Sequence, residues 1–448
     1  MIKKLTVFLL ICNCSLIYAQ TIKTDVLVIG GSASGVAAAL QSARSKVKTI
    51  LAVKDTAFGG FTGSGMVTIE ANRNISSGIW GEFRKQVRDL YRNTPGYDTA
   101  YNAALRFESN KTTSILKNLA DTTKNLTVHI NAVFTAIKKD GDKWEVSFAE
   151  GGGQTIKIVA RVVVDDTENG DAVQKAGAQF TTGLDNMKDN SQFKTYRTSI
   201  ASGEALPGQQ YNDANGPKGN YPPYPSYSIP MNSVLVNGAD NLLVTEKALA
   251  GNKDIQYLAL QLTLGQGVGA MAAYCAFFKT TTKNLKVRII QGELLDFKAD
   301  LLPFTDIPQK DRDWRAIQQV CETGLLRGVQ QGTGNNTQFM FKPDSLVSTA
   351  EVQPVLTEIY TRAFLWFGKE KPGEKFTLGN LLSFISDYTL TDPIVLKARI
   401  QKEWKALYKF EPYFDLNRAV TRREFAVLAN KFLNPFARTV DLNGAMVN

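Results

Sequence analysis

Histidine is almost absent from this sequence: 448 residues hold one, His129. Cysteine is nearly as scarce, with four residues, and two of them, Cys12 and Cys14, fall in an N-terminal stretch that reads as a removable leader. No CxxC pair and no His/Cys cluster occurs, which excludes a metal centre of the zinc type. Cys275 and Cys321 are far apart in sequence; two buried thiols are expected, with a disulfide as the alternative. Long apolar runs are missing too. The longest, Leu5 to Tyr18, is too short to span a bilayer comfortably, so no transmembrane span is expected. Also absent is any clustering of charge. The net charge is +10, but the basic residues are spread along the chain without a nucleic-acid motif. Nucleic acid is therefore excluded as a specific partner, and loose attraction to an anionic envelope polymer is left open.

What is present begins with that leader. Lys3 and Lys4 precede the apolar run and Ala19 closes it, a pattern that predicts a signal peptide over 1–19 and an exported, periplasmic or extracellular protein. "TDVLVIG" (24–30) then reads as a buried parallel strand, Gly35 to Arg44 as a helix, and "KTILAV" (48–53) as a second strand. In such a βαβ unit a glycine-rich turn has mechanical meaning. The G-x-G-x-x-G positions fall on Gly30, Ser32 and Gly35. Gly30 permits the tight turn and Gly35 lets helix and strand approach. The amides of Ser32, Ala33, Ser34 and Gly35 would face a pyrophosphate, with the helix dipole favouring negative charge. Ser32 stands where the backbone comes nearest the phosphates, and its hydroxyl is itself a donor. Val53 stands where an acid normally binds ribose hydroxyls, followed by Lys54 and Asp55. Loss of that carboxylate removes charged hydrogen bonds of about 1.5–3 kcal/mol each.

Further along, "GGFTGSG" (59–65) is a small-residue loop. Residues 126–160 contain "KDGD", a turn between alternating strands, and His129 in "LTVHINAVF" is a strand residue at a partly solvated face. "ARVVVDDTENGDA" (160–172) is a buried strand ending in a polar loop. "NLLV" (241–244) is another strand, and "LGQGVGAMAAYCAFF" (264–278) a glycine-rich helix start.

In this order the segments resemble secreted bacterial FAD-dependent oxidoreductases. The early family pattern appears as "VIGGSASG", "LAVKD" and "FGGFTGSG". Its R-F-E-P helix start looks like Arg106, Phe107 and Glu108, and its D-A-T-x-x-G-D strand end looks like Asp165, Asp166, Thr167, Gly170 and Asp171. Its closing N-L-L-V and L-G-Q-x-x-G look like Asn241 to Val244 and Leu264 to Gly269. The resemblance implies FAD as cofactor. It places Gly30, Ser32, Ala33, Ser34 and Gly35 at the pyrophosphate, Val53 and Lys54 at the ribose, and Gly59, Gly60 and Thr62 near the flavin. Val133 would lie beside the adenine, and Asp165, Thr167, Gly170 and Asp171 would border the cofactor. Gly265, Gln266 and Gly267 would bring a helix N-terminus to the flavin ring. The family's Gly-Arg pair is replaced by Glu246 and Lys247. Lys247 and Tyr257 are the candidate catalytic residues, against the plainer reading of a surface charge and a packed aromatic.

The tail differs. "FTDIPQKDRDWRAIQQVCETGLLRGV" and "FKPDSLVSTAEVQ", then "FDLNRAVTRREFAVLANKFL", resemble S-layer-homology modules, which implies affinity for cell-envelope polysaccharide. Thr421 and Glu424 equally suit a helix-capping box, with Arg422 solvated. The expected architecture is α/β, a Rossmann-like FAD-binding domain with parallel sheet, helices and β-hairpin over 20–300, followed by a mainly helical domain over 304–448. Substrate-side insertions are expected at about 62–105 and 176–233. The implied function is transfer of hydride from a small organic, carbohydrate-related substrate to flavin. The alternative is a non-catalytic envelope-associated binding protein with a degenerate FAD-binding fold.

Overall fold

The computed structural model describes residues 20–56, 58–151, 154–180, 194–204, 221–223, 226–249, 254–332 and 337–447. The expected leader and more than half of the 176–233 insertion lie outside the described residues. Strand β1 (Gln20–Ile29), helix α1 (Ala33–Arg44) and strand β2 (Thr49–Ala52) form the expected βαβ unit. β1 and β2 are parallel, with Val26 opposite Thr49 and Ile29 opposite Ala52. Every residue of α1 from Ala33 to Ala43 is buried. This explains its run of alanine and serine, since a helix covered on all sides needs small residues for close approach.

Strand β3 (Met66–Ile69), helix α2 (Gly78–Tyr91), strand β4 (Leu105–Glu108) and helix α3 (Lys111–Thr122) follow. Arg106, Phe107 and Glu108 were expected to start a helix; they lie instead in β4, antiparallel to β3. Their burial alternates, with Leu105 and Phe107 inward and Arg106 exposed, which is a strand's period of two.

Next come β5 (Leu126–His129), β6 (Val133–Asp140), β7 (Lys143–Ala149) and β8 (Thr155–Asp165). A short helix α4 (Asp171–Lys175), strands β9 (Ser199–Glu204), β10 (Ser226–Pro230) and β11 (Leu242–Val244), and helices α5 (Leu258–Phe277) and α6 (Val287–Asp296) complete the first part. The main sheet runs β5-β2-β1-β8-β7-β6. The first half of β8 pairs antiparallel with β7, and its end, from Val163 to Asp165, pairs parallel with β11. The carboxyl ends of β1, β2, β8 and β11 therefore meet at one crevice, where open α/β sheets hold ligands.

Gly265 to Gly267 do not start a helix, as expected for a flavin-facing terminus. They lie inside α5, which begins at Leu258 behind a 3-10 turn capped by Asp254. Their purpose is proximity. A Cβ on Gly265 would sit 2.1 Å from the Ser34 carbonyl oxygen, and one on Gly269 would sit 2.4 Å from that of Ala38. Small residues four apart on both helices let α1 and α5 touch backbone to backbone.

The tail consists of α7 (Trp314–Glu322), strands β12 (Val329–Gln331) and β13 (Gln338–Met340), and helices α8 (Thr349–Ile359), α9 (Ala363–Glu370), α10 (Leu378–Thr389), α11 (Pro393–Ala406) and α12 (Arg422–Leu428). Three of these helices start on comparable caps: Ser348, Thr377 and Thr421. Isolated bridges link them in a ring, Leu346 to Thr421, Ser348 to Lys375 and Thr377 to Ala419. Thr377 with Asn380 is a third copy of the motif that the sequence reading found only twice.

The tail packs against the α/β part through buried polar contacts. Arg197, fully buried, donates to both carboxylate oxygens of Glu358 at 2.7 and 3.0 Å. Trp314 Nε1 donates to Asp300 at 2.7 Å, and Glu322 accepts from the Ser199 amide at 3.2 Å. One continuous apolar core runs through both parts. Cys275 and Cys321 are buried free thiols.

Candidate functional site

At the crevice, Gly30 adopts φ +125° and turns the chain so that Ser32 caps α1. Ser32 Oγ accepts from the amides of Ser34 and Gly35 at 3.2 and 3.4 Å. The amide of Ser32 donates to Asp166 Oδ2 at 2.9 Å. Asp166 Oδ1 accepts from the hydroxyls of Thr245 at 2.6 Å, Ser32 at 2.8 Å and Ser34 at 2.9 Å. Glu246 Oε1 lies 2.8 Å from the same two serine hydroxyls. Two acids thus converge on the first turn of the helix.

The two acids share the two serine hydroxyls. Each serine hydroxyl carries one proton and can serve only one acid at a time. Burial, reinforced by the neighbouring Glu246 charge, pushes the Asp166 carboxyl up to about 7. The pair therefore holds a proton well above the ordinary carboxylate range.

The structure brings together most of the predicted positions. Gly59 bridges to Ser32 and its amide donates to the Gly31 carbonyl at 2.8 Å, which sets the Gly59–Gly60 loop beside the glycine turn. Thr62 and Lys54 are exposed. Val53 is buried against Gly31, and the backbones of His129 and Ala132 tie down its amide and carbonyl. Val133, one residue on, is 42% exposed. Asp165 is spent on its own turn: it accepts from the Thr167 amide and hydroxyl at 3.0 and 2.6 Å and from the Val173 amide at 2.9 Å. Burial raises its carboxyl above the usual range. Thr167 in turn accepts from the Asp171 amide at 2.7 Å. Gly170, at φ +70°, starts α4.

Gln266 is buried in α5, where it donates to Gln41 at 2.9 Å and accepts from the Ile79 amide at 3.0 Å. Gly265, Gln266 and Gly267 are thus packing positions in this structure. Lys247 is exposed with its stem over Gly170, and Tyr257 is half-buried at the N-cap of α5.

Two members of the site were not singled out from sequence as cradle residues, Asp166 and Thr245. The signal was available for Asp166, which stands where the resembled D-A-T pattern has alanine. Glu246 was noticed as a replaced glycine, but whether it pointed inward could not be read from the chain.

These residues test the fit of a dinucleotide. Gly30 and Gly35 keep the side-chain-free backbone that a pyrophosphate needs, yet Asp166 uses that space. A Cβ on Gly35 would meet Asp166 Oδ2 at 2.1 Å, and one on Gly30 would meet the Asp166 carbonyl oxygen at 2.6 Å. In this arrangement a pyrophosphate does not fit alongside the Asp166 carboxylate.

Residues 25–212 match the family described as FAD dependent oxidoreductase. This match supports an FAD-dependent oxidoreductase with FAD as its cofactor. No curated protein matches the chain. Among solved structures, the p-nitrophenol 4-monooxygenase PnpA from Pseudomonas putida DLL-E4 is 16% identical over 36% of this chain and 44% of that one, with a TM-score of 0.27. The rebeccamycin biosynthetic enzyme RebC with reduced flavin is 16% identical over 36% of each chain, at 0.28. The bacillithiol disulfide reductase Bdr from Staphylococcus aureus is 12% identical over 38% of this chain and 44% of that one, at 0.24. The chain spans less than half the length of each, and at these TM-scores no argument rests on the likeness.

Proposed function

We propose that the chain is an exported FAD-dependent oxidoreductase that acts on a small organic, carbohydrate-related substrate. The observation that carries the reading is the family match over residues 25–212, laid on a mixed sheet whose first strand, parallel to both neighbours, ends in a glycine turn. FAD, when bound in this family, accepts a hydride from the substrate. Lys247 and Tyr257 are the residues to which we assign substrate contact, and Gly59, Gly60 and Thr62 line the flavin side. The leader over 1–19 directs export. The division into a cofactor-binding part over 20–300 and a helical part over 304–448, with envelope polysaccharide as the partner of the latter, belongs to the same proposal as a division of roles across one shared core.

The test is the absorbance spectrum of the chain purified from an FAD-supplemented preparation. Flavin bands that survive gel filtration support the reading; no bands, and none after reconstitution, overturn it. A second reading, a binding protein that kept the fold without turnover, is favoured by one observation: the acids Asp166 and Glu246 at the helix end that would take the phosphates. Substrate-dependent bleaching of bound flavin would reject it.

A further inference from the structure

We infer that the anion position of this glycine turn is filled by the chain's own Asp166, with Glu246 beside it, so that a pyrophosphate and the Asp166 carboxylate compete for one set of donors. The inference rests on the FAD reading only for the identity of the competing ligand. The start of a helix presents amides with no partner inside the helix, and a dinucleotide fold normally spends them on phosphate oxygens. Here the Ser32 amide goes to Asp166 at 2.9 Å, and the Ser34 and Gly35 amides go to Ser32 Oγ. Three hydroxyls complete the cradle, and all three lie within 2.9 Å of Asp166 Oδ1. Asp166 is 3% exposed and Glu246 is 4% exposed, so neither acid reaches the site as a swinging surface group. Asp166 is held from the far side as well, because its amide donates to the Ile29 carbonyl at 2.9 Å. A phosphate entering this cradle must displace the Asp166 side chain and would then stand against the buried Glu246 side chain, whose Oε1 lies 2.8 Å from the hydroxyls of Ser32 and Ser34.

The competition explains the serines. In a turn that binds phosphate, the Ser32 position is best left as glycine, because the backbone must approach the ligand. A serine is the better residue when the ligand is a side chain of the same protein. Its hydroxyl caps the helix and bonds the acid at once. The Ser34 hydroxyl, inside the first turn, bonds the acids without capping the helix. Ser32, Asp166 and Glu246 thus form one hydrogen-bonded set.

The experiment uses the full chain, with FAD and inorganic pyrophosphate as probes, and compares the wild type with Asp166→Ala and the shape-conserving Asp166→Asn. FAD affinity is read by quenching of flavin fluorescence, and pyrophosphate binding by the shift of the melting temperature. The expected result is FAD binding at least about tenfold tighter in Asp166→Ala than in the wild type, since the side chain that occupies the same donors has been removed. Asp166→Asn should give a smaller gain, and it answers the same question if the alanine variant does not fold. Pyrophosphate should raise the melting temperature of the variants and leave the wild type unmoved. If pyrophosphate stabilises a variant while FAD binds neither protein, the filled site stands and the FAD reading falls. If the wild type binds FAD as tightly as the variants and pyrophosphate moves all of them equally, the filled site is overturned and the FAD reading stands. If neither probe distinguishes the variants from the wild type, the filled site is likewise overturned.

Discussion

Two helix starts in this protein carry the same outward pattern, a hydroxyl cap with a glutamate close by, and they do opposite things. At α12, Thr421 and Glu424 form a reciprocal capping box, and Arg418 donates to both Glu424 oxygens at 2.9 and 2.7 Å. The acid there is matched by a cation and the helix end is closed. At α1, Ser32 caps in the same way, but Asp166 is held by one amide and three hydroxyls and, among the described residues, forms no ion pair. An acid balanced by a guanidinium locks a fold. An acid held only by dipoles at a helix N-terminus stands in for an anionic ligand. The first kind of site belongs to stability, the second to binding.

The largest break in that comparison comes from separating the regions. A chain ending at Asp300 loses Glu358, Trp314 and Glu322, so that Arg197 is left without its carboxylate and without part of what covers it. It should be insoluble, or unfold without cooperativity, when followed by circular dichroism against the full chain. A soluble, cooperative fragment would show that the cofactor domain is independent.

Next in size is Arg422→Ala. Arg422 is 5% exposed; its Nε donates to the Phe341 carbonyl at 2.7 Å, and it also bonds the Arg327 carbonyl and pairs with Glu351. The sequence reading had Arg422 solvated. It is buried because the cap at Thr421 turns the first helical residue inward, toward β13 and the chain that follows it. Truncation should cost about 2–4 kcal/mol by denaturant unfolding, since it strands two carbonyls and a partly exposed acid.

A smaller effect separates old losses from the new occupant. Ser32→Gly with Val53→Glu would restore the two positions at which the sequence departs most visibly from a dinucleotide fingerprint. If Asp166 is the limiting group, that pair should improve FAD affinity by less than about threefold, whereas adding Asp166→Ala should bring the decade. A full decade from the first two changes alone would return the cause to Ser32 and Val53.

The smallest effect is the pH profile. Burial pushes Asp166 and Asp300 up to about 7, the first with help from Glu246 and the second against the bond from Trp314. Both hold a proton more tightly folded than unfolded, so their contribution to stability is fully present below the unfolded value near 3.8 and is lost as pH rises through about 7. Glu358 goes the other way. Burial opposes its ionisation, but the bonds from Arg197 and Lys194 win and hold it at about 2. Its contribution is present above the ordinary glutamate value and is lost as pH falls toward about 2. Thermal unfolding from pH 3 to 9, in steps of about one unit, should thus show a maximum on the acid side of neutrality. Asp300→Asn should flatten the alkaline limb; an unchanged limb in that variant would remove Asp300 as a cause.

The fold was legible where period and punctuation agree. "TDVLVIG", the glycine turn and "KTILAV" announce a buried βαβ unit, and "KDGD" announces the β6–β7 hairpin. Arg106 to Glu108 misled because three residues carry no period, and their pairing with β3 is a long-range fact. Gly265 to Gly267 misled because glycine serves equally to begin a helix and to let two helices touch. The site was half legible. Its glycines and hydroxyls lie in one short stretch, but Asp166 and Glu246 are 134 and 214 residues away from Ser32. Only β8 and β11 lying side by side bring both acids to the helix end.

Most direct is the backbone amide resonance of Ser32, observed by selective labelling while inorganic pyrophosphate is added. With Asp166 on that amide, the wild-type signal should stay in place at concentrations that move it in Asp166→Ala. Movement of the wild-type signal at the same pyrophosphate concentration as in the variant would mean that the helix end is open, and that Asp166 does not fill it.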